Sequence, residues 1–324
     1  MSPSKPLSYG PLKSVFANID AVKRFEIFQK MPTIQKTEKL VPLKIDKFAF
    51  GYRAFTMNET TYDVKSIIKR RKTSGNKFCS QEYIRLAING IAIEYLEYHP
   101  AQVQRSSEYM MSLFFGGRSD PILINQLTFD ASQSLTWLEN AKLRIQQLTI
   151  RSSIRRAMKA LSSVLTESSF PLQSLKIFVD PSTEEEFRDE VVQQARKVIV
   201  QTSNSYFTMG AENWNFLPAN THFEGTNKLA PDHFVALIRH WKVLETAPGR
   251  RCSVGLSNNI DDEMFGKLAM RSIQVQFDVV KEDGVITIPI NQSSEVRVSV
   301  NHDGPQDSNN KPTSILVLEV VAKM

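Results

Sequence analysis

The feature that most restricts what this chain can fold into is a short pattern that recurs along it: apolar, x, apolar, x, x, apolar, x, apolar. It appears as Leu43-Lys-Ile45-Asp-Lys-Phe48-Ala-Phe50, as Ile122-Leu-Ile124-Asn-Gln-Leu127-Thr-Phe129 and as Leu143-Arg-Ile145-Gln-Gln-Leu148-Thr-Ile150. A fourth copy is Phe170-Pro-Leu172-Gln-Ser-Leu175-Lys-Ile177, and a weaker fifth is Ala195-Arg-Lys-Val198-Ile-Val200. Apolar residues two apart lie on one face of a strand. One such strand cannot bury that face alone, but parallel copies stacked side by side make a continuous core. Counted from Leu127, Leu148, Leu175 and Val198, the copies are 21, 27 and 23 residues apart, within the roughly 20–29-residue period of leucine-rich repeats. The interval from Phe48 to Leu127 is too long for one period and must hold degenerate repeats or an insertion.

The linkers between copies read as helices. Over Ser152 to Thr166, Ile154, Met158, Leu161 and Leu165 share one helical face. Pro181 to Glu186 looks like a helix start, with Ser182 and Glu185 at capping-box spacing and Glu184 to Glu186 at the end of the dipole that favours acids. A longer helix is predicted from about Ser80 to Tyr98. Another runs from Pro231 to Lys242, with Phe234, Leu237, Ile238 and Trp241 as its apolar stripe. Val285 to Ile290 and Val296 to Val300 alternate about a polar turn at Asn291 to Ser294, which reads as a β-hairpin. His302 to Thr313 is loop, and a last strand spans Ile315 to Val321.

Known chemical motifs are missing. The sequence has no phosphate-binding G-x-x-x-x-G-K-[ST] loop, no strand-linked G-x-G-x-x-G, no H-E-x-x-H and no G-x-S-x-G. Gly116-Gly117 reads as an ordinary turn before a strand. His233 and His240, seven apart on one helix, lack convergent metal-ligand spacing, so no metal and no cofactor is expected. Asp261 to Glu263 sits in a turn-like stretch without calcium-loop spacing. Trp214, Phe216, Phe223, Phe234 and Trp241 are expected mainly in the core. The two cysteines, Cys79 and Cys252, lie far apart, which fits a reducing compartment. With no apolar run near the roughly 18 residues of a membrane span, a cytoplasmic or nuclear protein without membrane contact is expected. The sequons at Asn58 and Asn291 then count as chance matches.

The N-terminal stretch, Leu7 to Leu40, places Leu12, Val15, Phe16 and Ile19, then Phe25, Ile27 and Phe28, on two or three short helices. These would either cap the open end of the strand stack or dock an adaptor. The run Leu7-Ser-Tyr9-Gly-Pro-Leu12-Lys-Ser-Val15, with Lys23-Arg24-Phe25, Met31-Pro32-Thr33-Ile34, Glu38-Lys39 and Val41-Pro42-Leu43-Lys44-Ile45-Asp46, resembles the opening of a nematode-expanded, F-box-associated family of unknown function. Phe115-Gly116-Gly117-Arg118, Ser169 to Ile177 and the Val285 to Val300 hairpin add to the resemblance. Tyr9-Gly10-Pro11-Leu12 stands where an F-box usually begins with Leu-Pro. The resemblance implies a subunit that recruits targets to a cullin-based ubiquitin ligase. A Skp-type adaptor would bind residues 7–40, with Leu12, Val15, Phe16, Ile19 and Phe25 as its contacts, and the C-terminal region would bind the target.

The fold expected is therefore α/β: a short leucine-rich-repeat-like β/α solenoid with an N-terminal helical F-box-like segment and C-terminal antiparallel strands. Residues 1–42 form the helical F-box-like or capping segment. Residues 43–270 form the repeat-like region with a helical insertion around 63–118, and residues 271–324 the β-hairpin region. The function expected is non-enzymatic binding of a protein target, identity unknown. The polar positions between the apolar ones supply the surface: Asn125, Gln126, Thr128, Arg144, Gln146, Gln147, Thr149, Gln173, Ser174 and Lys176. The rival is a nucleic-acid or phosphate-binding module built on Lys65, Lys69, Arg70, Arg71 and Lys72, with Arg151, Arg155 and Arg156. A net charge of +6 is mild for 324 residues, and the run itself reads as a solvated loop, so nucleic acid is the less favoured partner.

Overall fold

A computed structural model describes residues 9–51, 54–72, 78–97, 111–112, 114–130, 141–179, 186–202, 216–224, 230–256, 260–301 and 314–323. The architecture is mixed α/β, in two compact units. One comprises Met1–Ser152 with Arg156–Phe170, and the other Ser153–Arg155 with Pro171–Met324.

The first unit opens with helices α1 (Tyr9–Ala17), α2 (Ala21–Lys30) and, after a 3-10 turn at Pro32–Ile34, α3 (Gln35–Lys39). Its strands are β1 (Lys44–Gly51), β2 (Ala54–Met57), β3 (Thr60–Lys72), β4 (Phe78–Ile88), β5 (Ile91–Glu97), β6 (Ile122–Phe129) and β7 (Leu143–Ile150). They lie in the order β7-β6-β1-β2-β3-β4-β5. The repeated pattern explains the first half of that order. β1, β6 and β7 are parallel, and their motif positions share one register: Ile45 opposite Ile124 opposite Ile145, and Phe48 opposite Leu127 opposite Leu148. These residues are at most 2% exposed, and each contributes about 1.5–3 kcal/mol on burial.

The long interval after β1 holds an antiparallel excursion, since β1 pairs antiparallel with β2, and β2 through β5 continue antiparallel. The helix expected from Ser80 to Tyr98 is not formed; β4 and β5 occupy the span up to Glu97, and Tyr98 lies outside the described residues. The reason is local. Asn89 and Gly90 take φ of 50° and 78°, the left-handed pair that a two-residue hairpin turn requires. Asn89 Oδ1 accepts from the Thr61 N–H at 2.8 Å, which ties that turn to the start of β3.

The second unit contains β8 (Ser174–Val179), β9 (Val198–Thr202), β10 (Asn220–Glu224), β11 (Arg251–Leu256), β12 (Val280–Glu282), β13 (Val285–Pro289), β14 (Ser294–Asn301) and β15 (Ser314–Ala322), in the order β12-β13-β14-β15-β11-β10-β9-β8. β8 to β11 are parallel, with Leu175, Val198, Thr221 and Cys252 in one row and Ile177, Val200, Phe223 and Val254 in the next. The fourth motif copy becomes a strand only from Ser174. The C-terminal strands are antiparallel, as the alternation predicts, and β15 joins them to β11. Ile286, Ile288, Val296 and Val298 form the buried face of the hairpin.

The linker helices differ in detail from the expectation. The first is Ile154–Leu161, buried through Ile154, Ala157 and Leu161, while Met158 and Leu165 are half-buried. Pro181 to Glu185 lies outside the described residues. The next described helix starts later, at Glu190, where Asp189 accepts from the Val191 N–H at 3.0 Å and Glu186 accepts from the Ile154 N–H. Asp261 to Glu263 is not a turn but the start of the helix Ile260–Gln276. The helix Pro231–Val243 buries Phe234, Leu237, Ile238 and Trp241. Phe223 is buried too, Phe216 is half-buried, and Trp214 lies outside the described residues. Among the described residues, no helix is long and apolar enough to cross a membrane.

Candidate partner-binding groove

The face of β1, β6 and β7 opposite the buried rows presents the polar motif positions. Register places Lys44, Leu123 and Arg144 in one row across the three strands. With strands roughly 4.8 Å apart, the two cations sit about 10 Å from each other at the backbone, one on each side of a half-buried leucine. The next residues outward along the strands are Asp46, Asn125 and Gln146. Asn125 Nδ2 donates to Asp46 Oδ1 at 2.9 Å.

One wall comes from a residue that the polar-position reasoning missed. Asn58, in the β2–β3 turn with φ of 55°, accepts from the Asp46 and Lys47 N–H groups at 3.0 and 3.2 Å. Its Nδ2 donates to Asp20 Oδ2 at 2.6 Å. Asp20 also caps α2, accepting from the Val22 N–H at 2.8 Å, which satisfies an orphan donor of the helix start. The hairpin turn, β1 and the start of α2 are thus tied together through one amide. The sequence signal for Asn58 is a lone Asn at a tight turn, a residue type that tolerates positive φ. Its Nδ2 is committed within this network.

Together these residues enclose a cavity of about 570 Å³ lined by Asp20, Lys44, Asp46, Asn58, Asn125, Arg144 and Gln146 over Ile45, Leu123 and Ile124. A second lobe of about 400 Å³ shares Asp20, Asp46 and Asn58 and adds Lys23, Glu26, Lys47 and Glu59. In it Lys23 and Glu26 form an exposed ion pair at 2.8 Å. Among the described residues, no ion pair engages Lys44 or Arg144.

Of the positions expected to meet a partner, the groove brings together Asn125, Arg144 and Gln146. Gln126 and Gln147 are half-buried neighbours in register, outside the cavity lining. Gln173 is exposed and belongs to the second unit. So does Lys176, which is held by Glu224 at 2.6 Å. Near it His222 Nδ1 and Ser253 Oγ are 2.9 Å apart; burial, then Lys197, lowers the His222 pKa.

The expected adaptor contacts divide. Phe16 and Phe25 are 1% and 3% exposed. Phe25 stacks on Phe114 with centroids 3.7 Å apart. Leu12 and Ile19 are half-buried, and Val15 is exposed. Behind them lies a buried ion cluster. Arg118 Nη2 donates to both oxygens of Glu38 at 2.7 and 2.8 Å. Arg24 reaches the same carboxylate at 3.4 Å and the carbonyls of Phe16 and Pro42 at 2.7 and 3.1 Å. Glu38 is fully buried. Burial pulls the Arg24 guanidinium below its ordinary value, and Glu38 opposes that. The cluster explains Gly116 and Gly117 before Arg118. A Cβ on Gly116 would come within 2.6 Å of the Ser112 carbonyl oxygen, and Gly117 has φ of 72°.

The basic run reads differently from a loop: Lys65 to Lys72 lies on β3, paired with Phe78 to Arg85 of β4. Arg151, Arg155 and Arg156 are exposed. Among the described residues, no group of three or more His, Cys, Asp or Glu stands close enough to hold a metal ion. Burial pushes the Cys252 thiol up to about 12, which keeps it protonated.

Residues 102–258 match the model of a domain of unknown function, DUF3557. The matched span includes β6 through β11 and with them Asn125, Arg144 and Gln146; Lys44, Asp46 and Asn58 lie before it. No curated protein matches the chain.

Proposed function

We propose that the chain is a non-enzymatic protein-binding module whose recognition surface is the polar groove on β1, β6 and β7. The observation that carries this reading is a pair of cations, Lys44 and Arg144, that have no ion-pair partner among the described residues, beside the Asp46–Asn125 pair in a cavity of about 570 Å³. The groove's groups are carboxylates, amides and exposed cations, which suit recognition by hydrogen bonds and charge. The repeat-like register of β1, β6 and β7 supports a solenoid-like use of the strand face, with successive strands each adding contacts. The test is substitution of Arg144→Ala and Gln146→Ala in the full chain, followed by binding of selected peptides. Loss of binding with an unchanged melting temperature supports the groove; unchanged binding overturns it.

The F-box-like resemblance extends the proposal to a substrate-recognition subunit of a cullin-based ubiquitin ligase. It is supported by three N-terminal helices and by exposed Val15, Met31 and Leu40. Because Phe16 and Phe25 are core residues, adaptor contact would fall to Val15 with the half-buried Leu12 and Ile19. The full chain should retain a purified Skp-type adaptor, and Val15→Asp should abolish that retention without lowering the melting temperature. Failure of the native chain to retain the adaptor removes the ligase role and leaves the binding module.

A further inference from the structure

We propose that the group recognised between Lys44 and Arg144 is the carboxylate side chain of an acidic peptide segment in a partner protein; this rests on the groove being the recognition surface. The two cations flank Leu123 in one row, and among the described residues neither has an ion-pair partner. A carboxylate lying over Leu123 would meet a charge on each side and place its methylene on the leucine. Beyond it, the amides of Asn125 and Gln146 offer a donor and an acceptor each, the set a peptide main chain needs.

The charge balance decides between an acidic peptide and a polyanion. The same cavity carries Asp20 and Asp46 against Lys44 and Arg144, so it is formally neutral. Asp46 is fixed by Asn125 at 2.9 Å, and Asp20 by Asn58 at 2.6 Å. A nucleic-acid backbone, with a charge at every step, would run from the cations into those two carboxylates. A peptide would set a single carboxylate on the cations and turn N–H donors toward Asp46. The fixed acids therefore orient the ligand as well as exclude the rival.

The experiment is selection of random peptides on the purified full chain, followed by fluorescence anisotropy with the enriched peptides. The native chain is expected to enrich peptides with an Asp or Glu at one constant position. Changing that residue to Asn or Gln should weaken binding about tenfold or more, the scale of a lost charged hydrogen bond. The K44E/R144E double variant should lose these peptides and enrich ones with Lys or Arg at the constant position, a gain that an unfolded variant cannot show. Enriched peptides without an acidic position, yet dependent on Asn125 or Gln146, would overturn the carboxylate and keep the groove. Peptides indifferent to every groove substitution would overturn both.

Discussion

The first unit holds two clusters of charge that make opposite use of similar residues. In one, Arg24, Glu38 and Arg118 are buried, and the carboxylate is fully enclosed by its two guanidinium partners. In the other, Lys44 and Arg144 stand open on either side of Leu123. The closed cluster locks α2 and α3 to the turn at 114–118, and its energy depends on completeness: removing one partner strands the others away from water. The open cluster contributes little to folding, because exposed charges are screened and hydrated. Satisfied charge holds the scaffold here, and the cations without an ion-pair partner among the described residues line the proposed recognition groove.

The largest loss is expected from Glu38→Ala. It leaves two buried guanidiniums facing each other and should cost about 3–5 kcal/mol, read as a large drop in the urea midpoint. A loss below about 1 kcal/mol would mean that the cluster is not holding the helices. Next is Asn58→Ala, which removes the acceptor for two β1 N–H groups and the donor to Asp20. Its expected cost is about 1–2 kcal/mol, together with a weakening of peptide binding, since the groove wall is lost.

A smaller effect comes from pH. His233 Nδ1 accepts from the Ala230 N–H at 3.0 Å, which requires the neutral ring, and burial lowers its pKa. Below the ordinary histidine value of about 6.5 the unfolded chain takes up a proton that the folded one resists. Stability is thus level above that value and declines as pH falls toward the lowered pKa. Melting curves from pH 7.5 down to 5 should show a shallower acid decline for His233→Gln. The smallest expected change is in K44E/R144E, whose melting midpoint should shift by no more than about 0.5 kcal/mol equivalent while peptide choice reverses.

How much of this could be read from sequence follows the same division. The motif rows were legible because a period of two with an in-register repeat leaves few ways to bury Ile45, Ile124 and Ile145. The excursion after β1 is ambiguous in sequence because Ile84, Leu86, Ile88, Ile91 and Ile93 suit a buried helix or a strand alike. The Asn89-Gly90 turn separates the two readings, and Asp283-Gly284 makes the same kind of turn between β12 and β13. The polar motif positions indicated the groove in part: Asn125, Arg144 and Gln146 line it, yet Lys44, Asp46 and Asn58 did not stand out. Those three enter through the parallel pairing of β1 with β6 across more than seventy residues of chain, and through a turn folding back on α2, neither of which local spacing encodes. Phe16 and Phe25 show the reverse limit. An apolar helix face looks the same in sequence whether it meets a partner or its own sheet.

The most direct test of the claim that the open cluster is the recognition surface is hydrogen exchange on the full chain with and without a selected acidic peptide. Slowed exchange is expected in the first halves of β1, β6 and β7 and around Asn58, with α1 unchanged. Slowed exchange confined to α1 and α2, with the strand face unaffected, would contradict it.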